Sequence, residues 1–360
     1  MKKLLMTVYN NIQNDARVLR AAEALAGEFE LYLYAVGSVD RAGVKSIPVE
    51  GVEKIGGTQA YLRYVRGVLK TARELHPDII YGHDIFSALP LDLLRRTNKT
   101  CKYVYDAHEL FTKEKGRSYG FVDRLQYACE GKMIRCADLT VCAEKQRAAY
   151  MKDYHKLEKE PLVIRNISYL PKGDADAFLH ENADFFEKKA LGIVYAGGLL
   201  AGRRLERLVE AVDRLGSGYK LMLIGNGPAR ETLAAEIEKR GNPNLRLCPA
   251  VPYADLGAIL SHFDVGYLFY GNDSLNNLYC APNKIYEYAS VGLPILANDN
   301  PTVKAIVEEA GIGVCDDEIE PGLEKLSDTF ESCRENMKRF IAENSLESEM
   351  QLLRTAVGAL

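Results

Sequence analysis

Residues 279–300 read YCAPNKIYEYASVGLPILANDN: a Pro-led turn, an amphipathic helical pattern carrying Glu287, a Gly292-Leu293-Pro294 stop, then an apolar strand. Pro282 suits the first turn of a helix, where its missing N–H costs nothing and the next free N–H groups point at any anion placed there. Lys284 adds a positive charge to that helix start. Ile285, Tyr288 and Ala289 fall at i, i+3 and i+4 on one face, which leaves Glu287 on the side away from the stripe. A carboxylate there accepts two hydroxyls at once, as the vicinal diol of a ribose or sugar presents them. The plainer alternative is a solvated Glu on an ordinary exposed helix.

The same strand-and-helix unit recurs outward in both directions. Apolar runs rich in β-branched and Tyr residues lie at 3–9, 31–36, 78–81, 103–106, 139–142, 193–196, 220–224, 265–269 and 294–297, with helical patterns between them. None alternates with a clean period of two, so each reads as a strand buried on both faces, in parallel sheets covered by helices. The pattern breaks between 169 and 189, where Pro171, Gly173, Asp174, Asp176 and Asp184 read as a linker. The expected architecture is α/β, with two doubly wound Rossmann-like domains, 1–170 and 171–339, facing across a cleft. A helical pattern from about 326 to 353 implies a C-terminal helix, about 340–360, packing back across the hinge. Ligands bind such sheets at the carboxyl ends of the strands.

Composition agrees with two cores of ordinary size: 360 residues, 47% hydrophobic. No apolar run approaches the roughly 20 residues that span a bilayer, and the first residues lack the pattern of a signal peptide, so a cytoplasmic protein is expected. The eight cysteines include no C-x-x-C pair and read as reduced and structural, with no zinc site. The net charge of −4 hides an asymmetry, +6 over residues 1–170 and −10 over the rest. Within the first part, Lys113, Lys115, Arg117 and Arg124 interleave with Phe111, Tyr119, Phe121 and Tyr127. That stretch reads either as a membrane-surface or polyanion patch at the inner face of the cell membrane, or as a mobile loop and a solvated helix face. Nucleic acid is disfavoured by a pI of about 6.0 and the lack of a recognition motif.

Two further glycine turns point to anions. After the run at 193–196 come Gly197 and Gly198, then Gly202, Arg203 and Arg204 before an amphipathic helix; Gly225, Asn226 and Gly227 follow the run at 220–224. Glycines let a phosphate approach the backbone, and an arginine holds two of its oxygens at once. No turn matches G-x-G-x-x-G or G-x-x-x-x-G-K-[ST], which disfavours hydride-transferring dinucleotide enzymes and P-loop ATPases.

With these residues in place the chain resembles a family-4-type glycosyltransferase of the GT-B fold over nearly its whole length. YAGGLLAGRRLERLVEA, LIGNGP and VPYADLGAILSHFDVGYL are similar to the donor-side segments, and 282–297 matches most closely, Glu287 falling on the second Glu of the family's E-x7-E element. NDARVLRAAEALA, DIIYGHD and VYDAHEL resemble acceptor-side segments. The resemblance implies a retaining transferase using a nucleotide-sugar donor (UDP or GDP) and a glycan or lipid-linked acceptor, with no cofactor and no metal. It implies Arg203, Lys284 and His108 as catalytic residues, His108 approaching the donor sugar, and Gly197, Gly198, Gly225, Asn226, Pro282, Asn283 and Glu287 as donor-binding. Surface polysaccharide assembly is the implied context. Two departures stand out: Tyr279 at the first Glu of E-x7-E leaves the donor sugar open, and Gly198, where many relatives carry Arg, removes a pyrophosphate contact for which Lys284 or Arg204 is the replacement.

His108 and Glu109 follow Asp106, in position to orient acceptor or sugar, or else His108 caps a backbone carbonyl. His83-Asp84 reads as structural. Two rivals remain: a sugar-nucleotide epimerase, which needs cleft carboxylates such as Glu109 and Asp106, and a non-catalytic nucleotide-binding partner subunit.

Overall fold

The computed structural model describes residues 1–111, 118 and 120–360, the side chains of 121 and 122 excepted. Lys113, Lys115, Arg117 and Tyr119 of the basic aromatic stretch therefore lie outside the described residues, as does the Phe121 side chain.

The chain forms two compact units, Met1–Asn166 with Leu346–Leu360, and Ile167–Ser345. The first holds β1 (Lys3–Asn11), β2 (Glu30–Val36), β3 (Val44–Pro48), β4 (Ile79–His83), β5 (Lys102–Ala107), β6 (Leu139–Cys142) and β7 (Leu162–Val163), in the spatial order β3-β2-β1-β4-β5-β6-β7. The second holds β8 (Leu191–Ala196), β9 (Tyr219–Ile224), β10 (Leu245–Cys248), β11 (Val265–Leu268), β12 (Ile295–Ala297) and β13 (Gly313–Cys315), in the order β10-β9-β8-β11-β12-β13. Neighbouring strands pair in parallel throughout both sheets. Each order reverses once, between β1 and β4 and between β8 and β11, and such a reversal leaves a crevice at the carboxyl ends of the strands.

The central strands are buried on both faces, as their unbroken apolar runs require: five residues of β8 and all of β4 lie inside. Four strands that the pattern did not anticipate, β3, β7, β10 and β13, are the four sheet edges. Edge strands are short and half exposed, so they carry no long apolar run; β3 is VKSIP, with none of its residues fully buried.

Two expectations are corrected. The stretch at 169–189 is not a free linker, since helices Asp176–Glu181 and Ala183–Phe186 form there. Phe185 is wholly buried, and Lys220 Nζ donates to the carbonyls of Phe185 and Lys188. The helical pattern at 326–353 is likewise not one element. It spans parts of helices Ile319–Ser327, Phe330–Glu343 and Leu346–Gly358, and the chain passes from the second unit to the first just before the last of these. That last helix buries Met350, Leu353 and Val357 in one cluster with Leu4, Val18 and Leu25. Glu349 on it receives the Arg165 Nε, Nη2 and backbone N–H, at 2.9, 2.6 and 2.7 Å.

Candidate active site

The carboxyl ends of β8 and β9 and the helix Asn283–Ser290 border an open pocket in the second unit. Gly197, Gly198, Gly225, Asn226, Lys284 and Glu287 all line it. Its floor requires glycine. Gly197 has φ +149° and Gly225 φ +154°, and a Cβ on Gly225 would stand 1.9 Å from the Gly197 carbonyl oxygen. At Gly197 an added Cβ would come within 2.5 Å of Lys284 Nζ, so the ammonium lies directly over this turn.

Pro282 is the N-cap of the helix, one position earlier than the expected first turn, and no side chain caps that end. Asn283 is exposed beside it. Lys284 is partly buried, and no carboxylate or carbonyl is recorded within hydrogen-bond distance of its Nζ among the described residues. Burial pulls the Lys284 ammonium below its ordinary pKa, Glu287 opposes this and Arg203 adds to it. The polar side of the helix does not face solvent, because Ile285 to Ala289 are all buried. Glu287 is therefore not a solvated surface residue. It is 9% exposed, it lines the pocket, and Tyr253 Oη stands 3.4 Å from its Oε1 and 2.6 Å from Ser168 Oγ.

Arg203 borders an adjoining depression with Tyr195, Gly198 and Lys284. Its guanidinium stacks on the Tyr270 ring at 3.8 Å and donates to the Phe269 carbonyl at 2.9 Å, just past the end of β11. Arg204 is exposed in a left-handed conformation, over the Phe269 ring.

In the first unit, His108 follows β5 and its side chain is 16% exposed. It does not cap a carbonyl through its ring. Nε2 lies 3.1 Å from Nδ1 of His83, a wholly buried residue at the end of β4. The His83 ring stacks on Tyr81 at 4.4 Å and 13°. Beneath the pair Asp106 accepts from Arg17 through both oxygens, at 3.1 and 2.8 Å, and from the Tyr81 hydroxyl at 3.2 Å. Arg17 also donates to the Ile164 carbonyl and to Asn166 Oδ1. Burial works against the Asp106 charge, but Arg17 and the His83 ring hold its carboxyl well below the usual range. Burial pulls the His108 imidazole down to about 4, against the attraction of Asp106. Asp84, φ +62°, is pushed up to about 7 by burial, with Glu109, Asp15 and Asp106 adding to it. Glu109 is exposed.

His83, Asp106 and His108 bring ligand-type atoms within 4.8 Å of one another. A divalent ion does not fit there, because Asp106 Oδ2 already accepts from Arg17 and Tyr81, and the guanidinium charge sits against the carboxylate. Sequence reading assigned no role to Arg17, Asn166 or Tyr270 and read His83 as structural. Arg17 lies in the quoted segment NDARVLR, and only the partner it meets 89 residues later distinguishes it from a surface arginine.

Residues 15–166 match the family model described as Glycosyl transferase 4-like domain, and residues 190–330 the one described as Glycosyl transferases group 1. No curated protein sequence matches the chain. Among solved structures, HepE from Anabaena in complex with UDP-glucose has a TM-score of 0.73 at 14% identity, with 100% of both chains covered. Sucrose-phosphate synthase from Thermosynechococcus elongatus has a TM-score of 0.70 at 13% identity, over 100% of this chain and 95% of that one. WaaG, a glycosyltransferase involved in lipopolysaccharide biosynthesis, has a TM-score of 0.68 at 15% identity, over 98% of each. At such identities the structural likeness carries the fold, and the two family models carry the rest: the chain belongs to the glycosyltransferases, as a family-4-like enzyme of the GT-B fold.

Proposed function

We propose that the chain transfers a sugar from a nucleoside-diphosphate sugar, UDP- or GDP-linked, to an acceptor hydroxyl with retention of anomeric configuration. The observation that carries this is the glycine-floored pocket in which the Lys284 ammonium and the buried Glu287 carboxylate converge. Glu287 suits a ribose diol, while Lys284, Arg203 and the uncapped helix start suit a diphosphate. In the reaction the bond from the anomeric carbon to the diphosphate oxygen breaks, and the acceptor oxygen bonds to that carbon from the same face. The acceptor proton passes to the leaving phosphate oxygen. Arg203 and Lys284 stabilise the charge that develops there, each by about 2.7–4 kcal/mol in a water-poor site. Asp106, a carboxylate that an epimerase reading would need, is taken up by Arg17 and Tyr81, which favours transfer.

A thermal-shift screen against UDP, GDP, ADP and their sugar conjugates tests the donor assignment. One nucleotide family should raise the melting point selectively, and Glu287→Ala should abolish that shift; a protein indifferent to all of them sinks the reading. HepE is known in complex with UDP-glucose, which makes UDP-sugars the first donors to try. Retention is checked by NMR of the product anomer, where an inverted linkage refutes it. We further propose that no metal or other cofactor takes part, so that transfer is unchanged in EDTA; a rate restored only by a divalent ion would overturn this.

The proposed acceptor is a glycan or lipid-linked glycan in surface polysaccharide or glycoconjugate assembly, with the chain in the cytoplasm and its N-terminal domain in peripheral contact with the membrane. Among the described residues no helix is long and apolar enough to cross a membrane. Co-sedimentation with anionic vesicles tests the contact, and protein left in the supernatant at low salt would refute it.

A further inference from the structure

We infer that His83 fixes the position of the His108 proton, holding His108 as a neutral ring protonated on Nδ1, so that it meets its ligand as a hydrogen-bond donor and not as a base. The inference deepens the proposed function, since it takes His108 to face the sugar or acceptor.

Two imidazole nitrogens 3.1 Å apart share one proton, so one ring donates and the other accepts. If His108 Nε2 donated, His83 Nδ1 would be bare, and its lone pair would face Asp106 Oδ2 at 3.5 Å. The neutral His83 ring would then carry its proton on Nε2, which is buried and has no protein acceptor among the described residues. A buried N–H without an acceptor loses its hydration for nothing in return. With the proton on His83 Nδ1 both conflicts vanish. That N–H donates to His108 Nε2 with Asp106 Oδ2 3.5 Å away as a favourable charge, and the orphaned Nε2 is only a bare lone pair. A doubly protonated His83 would again bury an unpaired N–H, beside the Asp106–Arg17 pair.

His108 Nε2 is thereby an acceptor, and the ring's own proton sits on Nδ1. No partner is recorded for Nδ1 among the described residues and the His108 side chain is 16% exposed, so we take Nδ1–H as the donor to the ligand. The charged groups around His108 do not reverse this: Asp106 and Asp15 favour a second proton, but burial, His83 and Arg17 oppose one. The Tyr81 ring stacked on His83 and the bidentate Arg17 below Asp106 fix the orientation of the relay. A hydroxyl of the sugar or acceptor would accept from Nδ1–H. The attacking hydroxyl then cannot give its proton to His108, in keeping with its transfer to the leaving phosphate.

The test is a long-range proton–nitrogen correlation spectrum of the histidine side chains in the full-length, nitrogen-15-labelled protein at neutral pH, with His108 assigned by its loss in His108→Gln. The expected pattern is a pyrrole-type Nδ1 and a pyridine-type Nε2. An Nε2–H tautomer, or averaged shifts for both nitrogens, overturns the inference. His83→Asn keeps an N–H close to the Nδ1 position and should keep the pattern, while His83→Phe keeps a stacked ring without a donor and should lose it. Transfer should fall about tenfold in His83→Phe and return most of the way in His83→Asn, the loss of one buried hydrogen bond. Equal loss in both variants, with the tautomer unchanged, would reduce His83 to packing. If His83→Phe does not fold, the wild-type spectrum still decides. The spectrum needs neither donor nor acceptor, so a protein with the expected tautomer and no transferase activity breaks the proposed function alone.

Discussion

At the ends of β4 and β5 the first unit surrounds its buried carboxylate with partners of its own: Asp106 receives Arg17 twice, Tyr81 once and the edge of His83. At the ends of β8 and β11 the second unit holds Lys284 over a glycine turn and Arg203 on an aromatic face. Lys284 there has no recorded carboxylate or carbonyl acceptor. The first arrangement is complete as folded and fixes an imidazole. The second sets both cations at the edge of a depression. A buried pair holds a protein together most visibly when one half is removed, whereas a partly buried ammonium offset only by Glu287 contributes little to the fold.

That contrast is easiest to break by removing one charge from each side. Arg17→Ala strands Asp106 and should destabilise the first unit by about 3–5 kcal/mol in urea unfolding. A change under about 1 kcal/mol would mean the pair is not structural. Lys284→Met should leave the unfolding midpoint of the second unit unchanged or slightly raised, while transfer falls by about 10²–10³. Comparable losses of stability in the two variants would erase the difference between the units.

Gly225→Ala sharpens the comparison from the backbone side. Its Cβ meets the Gly197 carbonyl, and the strain should cost about 1–3 kcal/mol, shared between stability and nucleotide affinity. Unaltered calorimetric binding would show that the turn does not shape the pocket.

A pH experiment probes Asp84, a carboxylate of the first unit that burial raises to about 7. A carboxyl raised above its unfolded value contributes stability that is full below about pH 4 and is lost as pH rises through about 7. Asn tolerates a left-handed backbone, so Asp84→Asn should melt with wild type at pH 4 and above it at pH 8. The reverse order at pH 8 would contradict the burial argument. The smallest effect is expected for Tyr253→Phe, which removes the hydroxyl between Ser168 and Glu287. Nucleotide binding should weaken by about 0.5–1.5 kcal/mol, and an unchanged Kd would make Glu287 independent of Tyr253.

Much of this was legible from pattern. Unbroken apolar runs mark central parallel strands because both faces are covered, and β1, β4, β5, β8 and β9 carry such runs. Gly197, Gly225, Pro282 and Lys284 are legible because turn and helix-start chemistry is local. Glu287 was read on the wrong premise. The helix pattern put it opposite an apolar stripe, whereas a helix buried along its whole middle encloses it in a pocket.

The sequence by itself determined the alternation of strand and helix, the glycine turns after β8 and β9, and the resemblance that the family models bear out. These depend on residues a few positions apart, whose geometry the backbone dictates. Only the tertiary structure decided the edge strands, which have too few buried positions to leave a pattern. It alone paired Arg17 with Asp106 across 89 residues and Arg165 with Glu349 across 184, so that the final helix joins the first unit. The partner of a buried charge is set by where the packed strands and helices place it, and neither member carries a local sign of the other.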